Sequence, residues 1–236
     1  MAKEIAILMA AGLGTRMAPL TEKVPKPLVK AHGRHLIDTV IEGLESRGVD
    51  HVYVVVGYLG EQFGFLAEKY PNVSIIENKE YTVKNNISSI FAAREVMKTA
   101  DCFICEADLY VSDPAIFKAN LDKSCYYGKM VEGYSEDWVF DLDENGIITR
   151  VGKGGNDTYN MVGVSYFKQK DAMIIADAVE EAYNHEGHEQ LYWDEIVDQQ
   201  LKKLNLVINP VTADQIIEID SVAELAEFDS DYEKYN

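Results

Sequence analysis

A short apolar run, Ile5 to Met9, has the length and punctuation of a fully buried strand, and it empties into Ala10-Ala11-Gly12-Leu13-Gly14. Leu28 to Lys30 and His35-Leu36 flank Gly33 and predict a brief strand and turn. Apolar positions then recur at helical spacing through Leu36, Ile37, Val40, Ile41 and Leu44, with Gly48 where a C-terminal cap belongs. His51 to Val56 is a β-branched strand ending in Gly57-Tyr58. A helix from about Gly60 to Tyr70, stopped by Pro71, and a strand from Val73 to Ile76 follow. The polar, turn-prone block from Asn78 leads through Ser88 and Ser89 into an amphipathic helix reaching about Lys98, and Cys102 to Ile104 is a further buried strand. This alternation predicts an α/β fold with a largely parallel sheet.

From Ser124 the pattern changes. Short alternating runs separated by Gly133, Asn145-Gly146 and Gly154-Gly155-Asn156 predict antiparallel strands and hairpins, an insertion spanning 124–162. Met161 to Phe167 is a strand that rejoins the main sheet. Helices at about Lys170 to Tyr183 and Tyr192 to Leu204, strands at Leu206 to Asn209 and Ile216 to Ile219, and a last helix from Val222 to about Phe228 complete the chain. The acidic tail from Asp229 to Asn236 is expected to fray.

At 236 residues, 47% of them hydrophobic, the chain is expected to form one domain, 1–236, with a substantial core. A net charge of -18 excludes non-specific binding to nucleic acid or to acidic lipid, both of which need a basic surface. No apolar run approaches the ~20 residues needed to cross a bilayer. The segment Met1-Ala-Lys-Glu enters the first strand with no apolar signal-peptide region, and three cysteines fit a reducing compartment, so a cytoplasmic location is expected.

The chemistry concentrates in the first loop. Small residues there supply bare backbone N–H donors and permit left-handed backbone, while Arg16, Lys23 and Lys26 supply positive charge between Pro19, Pro25 and Pro27. That combination suits a polyphosphate. It is not a dinucleotide fingerprint, because Met17 stands at the third glycine position and Pro19 breaks the helix that would bind phosphate; no P-loop string is present. Glu106-Ala107-Asp108 falls at the carboxyl end of a buried strand, where ligands of open α/β sheets sit and a carboxylate can hold Mg²⁺. Ile217-Glu218-Ile219-Asp220-Ser221 repeats that placement near the end of the chain, although Asp220 could equally cap the last helix. Asn85-Asn86 before Ser88 could cap a helix or contact a base or ribose. Cys102 and Cys105 face opposite sides of a strand and are expected in the core, and His185-x-x-His188 reads as loop.

Ala10 to Arg16, then Pro19-Leu20-Thr21, then Pro25-Lys26-Pro27-Leu28 together resemble the signature of the nucleotidyltransferases that join a nucleoside triphosphate to a phosphorylated small molecule. The resemblance implies a Rossmann-like, mostly parallel central sheet of the nucleotide-diphospho-sugar transferase type. It places Gly12, Gly14 and Thr15 on the triphosphate, with Ala10, Ala11, Gly57, Tyr58, Asn86, Ser88 and Ala107 beside the nucleotide. It makes Lys26 and Arg16 the catalytic cations, and Asp108 and Asp220 the Mg²⁺ ligands. Two departures stand out: Ala18 replaces a second arginine common before Pro-Leu-Thr, and Leu109 replaces a polar residue.

Further strings narrow the resemblance to the bacterial CTP:phosphocholine cytidylyltransferases, over Ile5 to about Phe228: Gly57 to Phe63, Asp137-Trp138, Leu191-Tyr192-Trp193-Asp194 and Glu218 to Ser221. Relatives acting on 2-aminoethylphosphonate or phosphoethanolamine are also similar. The resemblance implies CTP as donor and a phosphorylated amino alcohol or aminophosphonate as acceptor; a sugar 1-phosphate is the alternative. A non-catalytic nucleotide-binding module would not need both metal carboxylates. A quaternary ammonium has no donors and is bound by aromatic faces and a nearby carboxylate. Trp138, Tyr192 and Trp193 are candidates for that box, with Asp194 or Glu132 as counter-charge, unless the rings simply pack the core. A primary ammonium would instead ask for three acceptors.

Overall fold

The computed structural model describes residues 3–235; Met1, Ala2 and Asn236 lie outside the described residues. The chain opens with β1 (Glu4–Ala10), and the glycine loop leads to a small hairpin, β2 (Lys30–Ala31) and β3 (Arg34–His35), that feeds α1 (Leu36–Arg47). Alternation continues through β4 (His51–Val56), α2 (Phe65–Lys69), β5 (Val73–Glu77), α3 (Ile87–Met97) and β6 (Asp101–Glu106). The second half comprises β7 (Leu109–Val111), β8 (Cys125–Leu142), β9 (Ile148–Phe167), α4 (Gln169–Ala182), α5 (Trp193–Gln200), β10 (Val207–Pro210), β11 (Ile216–Glu218) and α6 (Val222–Phe228).

Seven strands form one sheet in the order β10-β8-β9-β6-β1-β4-β5. Within it only β9 runs antiparallel to its neighbours, β6 and β8. The expected mixed, mostly parallel sheet is therefore the observed one. Alternate residues of β1 serve opposite faces. Ala6 and Leu8 join Val52, Val54, Phe103 and Cys105 against α1 and α2, whereas Ile5 and Ile7 join Val55, Cys102 and Ile104 against α3, α4 and α5. Cys102 and Cys105 thus part to the two layers, both buried and unbridged. A third, smaller cluster of Met17, Val29, Ala31, Leu36, Ile219 and Leu225 pins the glycine loop and the start of α1 to the end of the chain.

Where the expected short strands lie, the chain instead runs as two long ones of 18 and 20 residues, with repeated register shifts between them. Their far ends turn at Asp143 to Gly146, where the Asp143 carboxylate accepts from the Asn145 and Ile147 N–H groups. Val139 and Phe140 pair on one side with Gly152 and Val151 and on the other with Asn160 and Tyr159, so the insertion curls on itself. The helix expected from Gly60 to Tyr70 is broken at Gly64 into a 3-10 turn and the short α2. The tail is not loose as far as Tyr235: it forms a 3-10 stretch whose preceding Asp229 accepts from the His32 and Asp231 N–H groups. Among the described residues, no helix is long and apolar enough to cross a membrane.

Candidate active site

The carboxyl ends of β1, β4 and β6 open on one edge of the sheet, the place where open α/β sheets bind ligands. A cleft of about 520 Å³ lies there. Its wall is Met9 through Arg16, Lys26 and Pro27 from the first loop and Asn78, Tyr81 and Lys84 to Asn86 from the segment before α3. Ser88, Ser89, Glu106, Asp108, Tyr192 and Asp220 complete it.

The loop's shape follows from Gly14, which takes a left-handed conformation, φ 61°. A Cβ there would press on Lys26 and Thr21 at 3.0 and 3.1 Å, so any side chain would be strained and crowded at once. Thr21 Oγ1 donates to the Gly14 carbonyl at 2.8 Å, and the Met17 N–H donates to the same carbonyl at 3.0 Å. The fully buried Met17 side chain then anchors the loop in the third cluster. A Cβ at Gly12 would meet nothing within 4 Å, so the backbone there is bare toward the cleft.

Lys26 is the hub. Its side chain is buried, and Nζ lies 2.7 Å from Asp108 Oδ2 and 2.7 Å from Asp220 Oδ1, joining residues 194 positions apart. Arg16, exposed over 73% of its side chain, reaches Asp220 Oδ2 at 3.0 Å. Burial disfavours the Lys26 ammonium, but Asp108 and Asp220 outweigh that and hold its pKa above the ordinary value. Burial likewise works against the Asp220 carboxylate, while Lys26 and Arg16 hold its pKa below the usual range. The capping alternative for Asp220 fails: Ser221 caps α6 in a capping box with Glu224, leaving the Asp220 carboxylate for the two cations.

Asp108 and Asp220 converge as a pair of hard-oxygen donors, the donor type a divalent cation takes, and both are paired here with the Lys26 ammonium. Among the described residues, no set of three or more His, Cys, Asp or Glu side chains has metal-binding geometry. A cation bound here would take its remaining partners from phosphate and water.

Other expected residues are placed differently. Asn86 lines the cleft and stands at the N-cap position of α3, but its side chain makes no capping bond; its Oδ1 accepts from the Trp193 N–H at 3.0 Å, tying α3 to α5. The Ser88 hydroxyl accepts from Asn78 and donates to the Asn85 carbonyl, at 2.9 and 2.8 Å. Gly57, Tyr58 and Ala107 do not line the cleft. A Cβ on Gly57 would strike the Tyr81 ring at 2.6 Å, so Gly57 lets that ring lie in the wall. Tyr58 braces the loop from behind, its hydroxyl donating to the Thr21 carbonyl and its N–H to that of Ala11. The buried Ala107 donates its N–H to the Met9 carbonyl.

The aromatic box is corrected in part. Trp193, only 3% exposed, packs in the core against Tyr126 and Phe167. The buried Asp194 takes a hydrogen bond from the Tyr126 hydroxyl, and its pKa is pushed up to about 7 by burial against the pull of that bond. Tyr192 does line the cleft, and Trp138 meets it edge to face at 5.4 Å. Tyr81, the tyrosine of the Tyr…Asn-Asn…Ser string, lines the cleft, as do Asn78, Lys84 and Glu106, which no motif marks as site residues. Glu106 has a readable signal: on a strand it continues the face of Cys102 and Ile104. Burial, and then the nearby Asp108, Glu218 and Asp194, raise its pKa well above the usual carboxylate value.

Residues 6–131 match the MobA-like NTP transferase domain. The 2-aminoethylphosphonate cytidylyltransferase of Lancefieldella rimae is 55% identical over 230 residues, covering 98% of this chain and 94% of that protein. The choline-phosphate cytidylyltransferase of Streptococcus pneumoniae is 32% identical over 219 residues, 93% of this chain and 94% of that one. The solved CTP:phosphocholine cytidylyltransferase from Streptococcus pneumoniae superposes with a TM-score of 0.88 at 30% identity, covering 97% and 98% of the two chains. With the cleft, its glycine loop and these relatives in hand, the chain belongs to the MobA-like NTP transferase family as a nucleotidyltransferase, and its relatives place it among the cytidylyltransferases.

Proposed function

We propose that the protein transfers the cytidylyl group of CTP to 2-aminoethylphosphonate, releasing pyrophosphate. The observation that carries the chemistry is the Lys26 ammonium shared between Asp108 and Asp220 at the mouth of a bare glycine loop. The acceptor assignment draws on the 55% identity with the aminophosphonate enzyme.

In this reading the N–H groups from Gly12 to Thr15 cradle the triphosphate. The exposed Arg16 takes up charge on the departing pyrophosphate, while Lys26 faces the α-phosphoryl group. Ala10, Ala11, Tyr81, Asn86 and Ser88 border the nucleoside. Asp108 and Asp220 would hold Mg²⁺, which would supply charge neutralisation for the phosphates. A phosphonate oxygen forms the new bond to the α-phosphorus as the bond to pyrophosphate breaks. That oxygen is already anionic near neutral pH, so no side chain is asked to remove a proton. Catalysis is positioning and charge stabilisation.

The acceptor's ammonium faces the carboxylates beside the cleft. The Glu106 side chain has no hydrogen bond or ion pair among the described residues, and it lines a cavity of about 10 Å³ together with Asp194. The insertion at 124–162 contributes Trp138 to this acceptor end. CTP and free buried thiols both suit a cytoplasmic enzyme.

Phosphocholine is the second reading, favoured by the Trp138–Tyr192 pair and the choline-phosphate relatives. A pyrophosphate-release screen decides between them: CTP, UTP, dTTP and ATP against 2-aminoethylphosphonate, phosphoethanolamine, phosphocholine and glucose 1-phosphate. The expected result is turnover of CTP with 2-aminoethylphosphonate at the highest kcat/KM. Turnover with glucose 1-phosphate alone would overturn the assignment.

A further inference from the structure

The aromatic pair at the acceptor end already has a cation. The β8–β9 ladder sets Lys153 directly opposite Trp138, and Lys153 Nζ lies 6.0 Å from the Trp138 ring centroid. The same ammonium lies 5.6 Å from the centroid of Tyr192, which arrives from a different element, just before α5. The two rings meet edge to face, 61° between planes, and Tyr192 belongs to the cleft wall. Lys153 is exposed, yet it makes no ion pair or side-chain hydrogen bond among the described residues. Among the described residues the Lys153 ammonium therefore has two ring faces, and no carboxylate, as its partners.

A cross-strand lysine beside a tryptophan can be mere surface packing. Two features go beyond that. The second ring comes from outside the ladder, and it borders the cleft. A quaternary ammonium carries no N–H, so its recognition depends on aromatic faces. A primary ammonium brings three donors and can be held by carboxylates alone. Filling the ring faces with a fixed positive charge therefore removes the favourable site for one cation and repels it, while leaving the side-chain oxygens of Glu106 in the cleft wall as acceptors for the other.

We infer that Lys153 is a specificity-determining residue, whose ammonium occupies the aromatic pair and turns the site from quaternary-ammonium toward primary-ammonium acceptors. The inference rests on the aminophosphonate reading of the acceptor.

The test compares wild-type protein with Lys153→Met, which keeps the length of the stem, and Lys153→Arg, which keeps the charge. The kcat/KM for phosphocholine and for 2-aminoethylphosphonate is measured from pyrophosphate release at fixed CTP and Mg²⁺. In Lys153→Met, kcat/KM for phosphocholine should rise about tenfold, the scale of one freed cation–π site. Phosphocholine should also bind more tightly, read by isothermal titration calorimetry. Lys153→Arg should keep the wild-type preference. No gain for phosphocholine in Lys153→Met, with 2-aminoethylphosphonate turnover present, overturns the role of Lys153 and leaves the acceptor reading standing. A wild-type preference for phosphocholine overturns the acceptor reading, and this inference with it.

Discussion

Replacing Lys26 with alanine takes away the ammonium that lies 2.7 Å from both Asp108 and Asp220. Only Arg16, exposed and 3.0 Å from Asp220, then remains to balance two facing carboxylates with Glu106 close by. Breaking a fully buried pair costs about 3–5 kcal/mol. Here the Asp108 and Asp220 side chains are 27% and 35% exposed, so water recovers part of that, and about 2 kcal/mol is expected. For a chain of this size that is a Tm lower by roughly 4–8 °C. Turnover should fall further, by roughly 10²–10³, as when one electrostatic stabiliser of the transition state is removed. Titrating Mg²⁺ without nucleotide separates the two effects. Freed of their lysine, the aspartates should bind the ion more tightly, so Mg²⁺ should raise the Tm of Lys26→Ala more than that of wild type. Single-turnover pyrophosphate release and thermal unfolding at several Mg²⁺ concentrations provide both readings. An alanine variant with wild-type turnover, or one whose Tm neither falls nor responds to Mg²⁺, would refute the reasoning.

Two further outcomes follow from the geometry. A Cβ at Gly57 meets the Tyr81 ring at 2.6 Å, so Gly57→Ala should displace that ring at a cost of about 1–3 kcal/mol and raise KM for CTP about tenfold; KM for the acceptor should hardly change, and equal rises in both would contradict the placement of Tyr81. Burial holds the Asp194 pKa at about 7 against an ordinary 3.8, so between those values the folded state keeps a proton that the unfolded chain has lost, and stability should decline as pH rises through that window. Asp194→Asn should flatten this decline in urea midpoints taken at pH 4.5 and 7.5, and an unaltered slope would remove Asp194 as its source.

The strand–helix alternation of the first half was readable because each element keeps its own period: β-branched runs such as His51 to Val56, and the i, i+3, i+4 spacing of α1. The loop was readable because glycine and proline dictate backbone with little help from tertiary context. Trp193 shows what was missed and why. With Ile196 and Val197 it forms the apolar i, i+3, i+4 stripe of α5, and that period assigns it to the core, whereas Tyr192 precedes the helix and is free to face the cleft. Gly57 is legible as a small residue at a strand end, but its partner, the Tyr81 ring, lies 24 positions on and meets it only in the folded chain. The long strands β8 and β9 were read as fragments because their register shifts interrupt the two-residue period. The meeting of Lys26, Asp108 and Asp220 was implied by resemblance alone; no local pattern joins residues 194 positions apart.

Metal-assisted cytidylyl transfer to an aminophosphonate is the reaction proposed for the cleft holding Lys26, Asp108 and Asp220. Phosphorus NMR of the protein with CTP, 2-aminoethylphosphonate and Mg²⁺ tests it most directly. Coupled loss of CTP and 2-aminoethylphosphonate is expected, with equal amounts of pyrophosphate and a phosphonate–phosphate anhydride, stopped by chelation and nearly absent in Asp220→Asn. Persistence of both substrates, or an undiminished rate in Asp220→Asn, would contradict it.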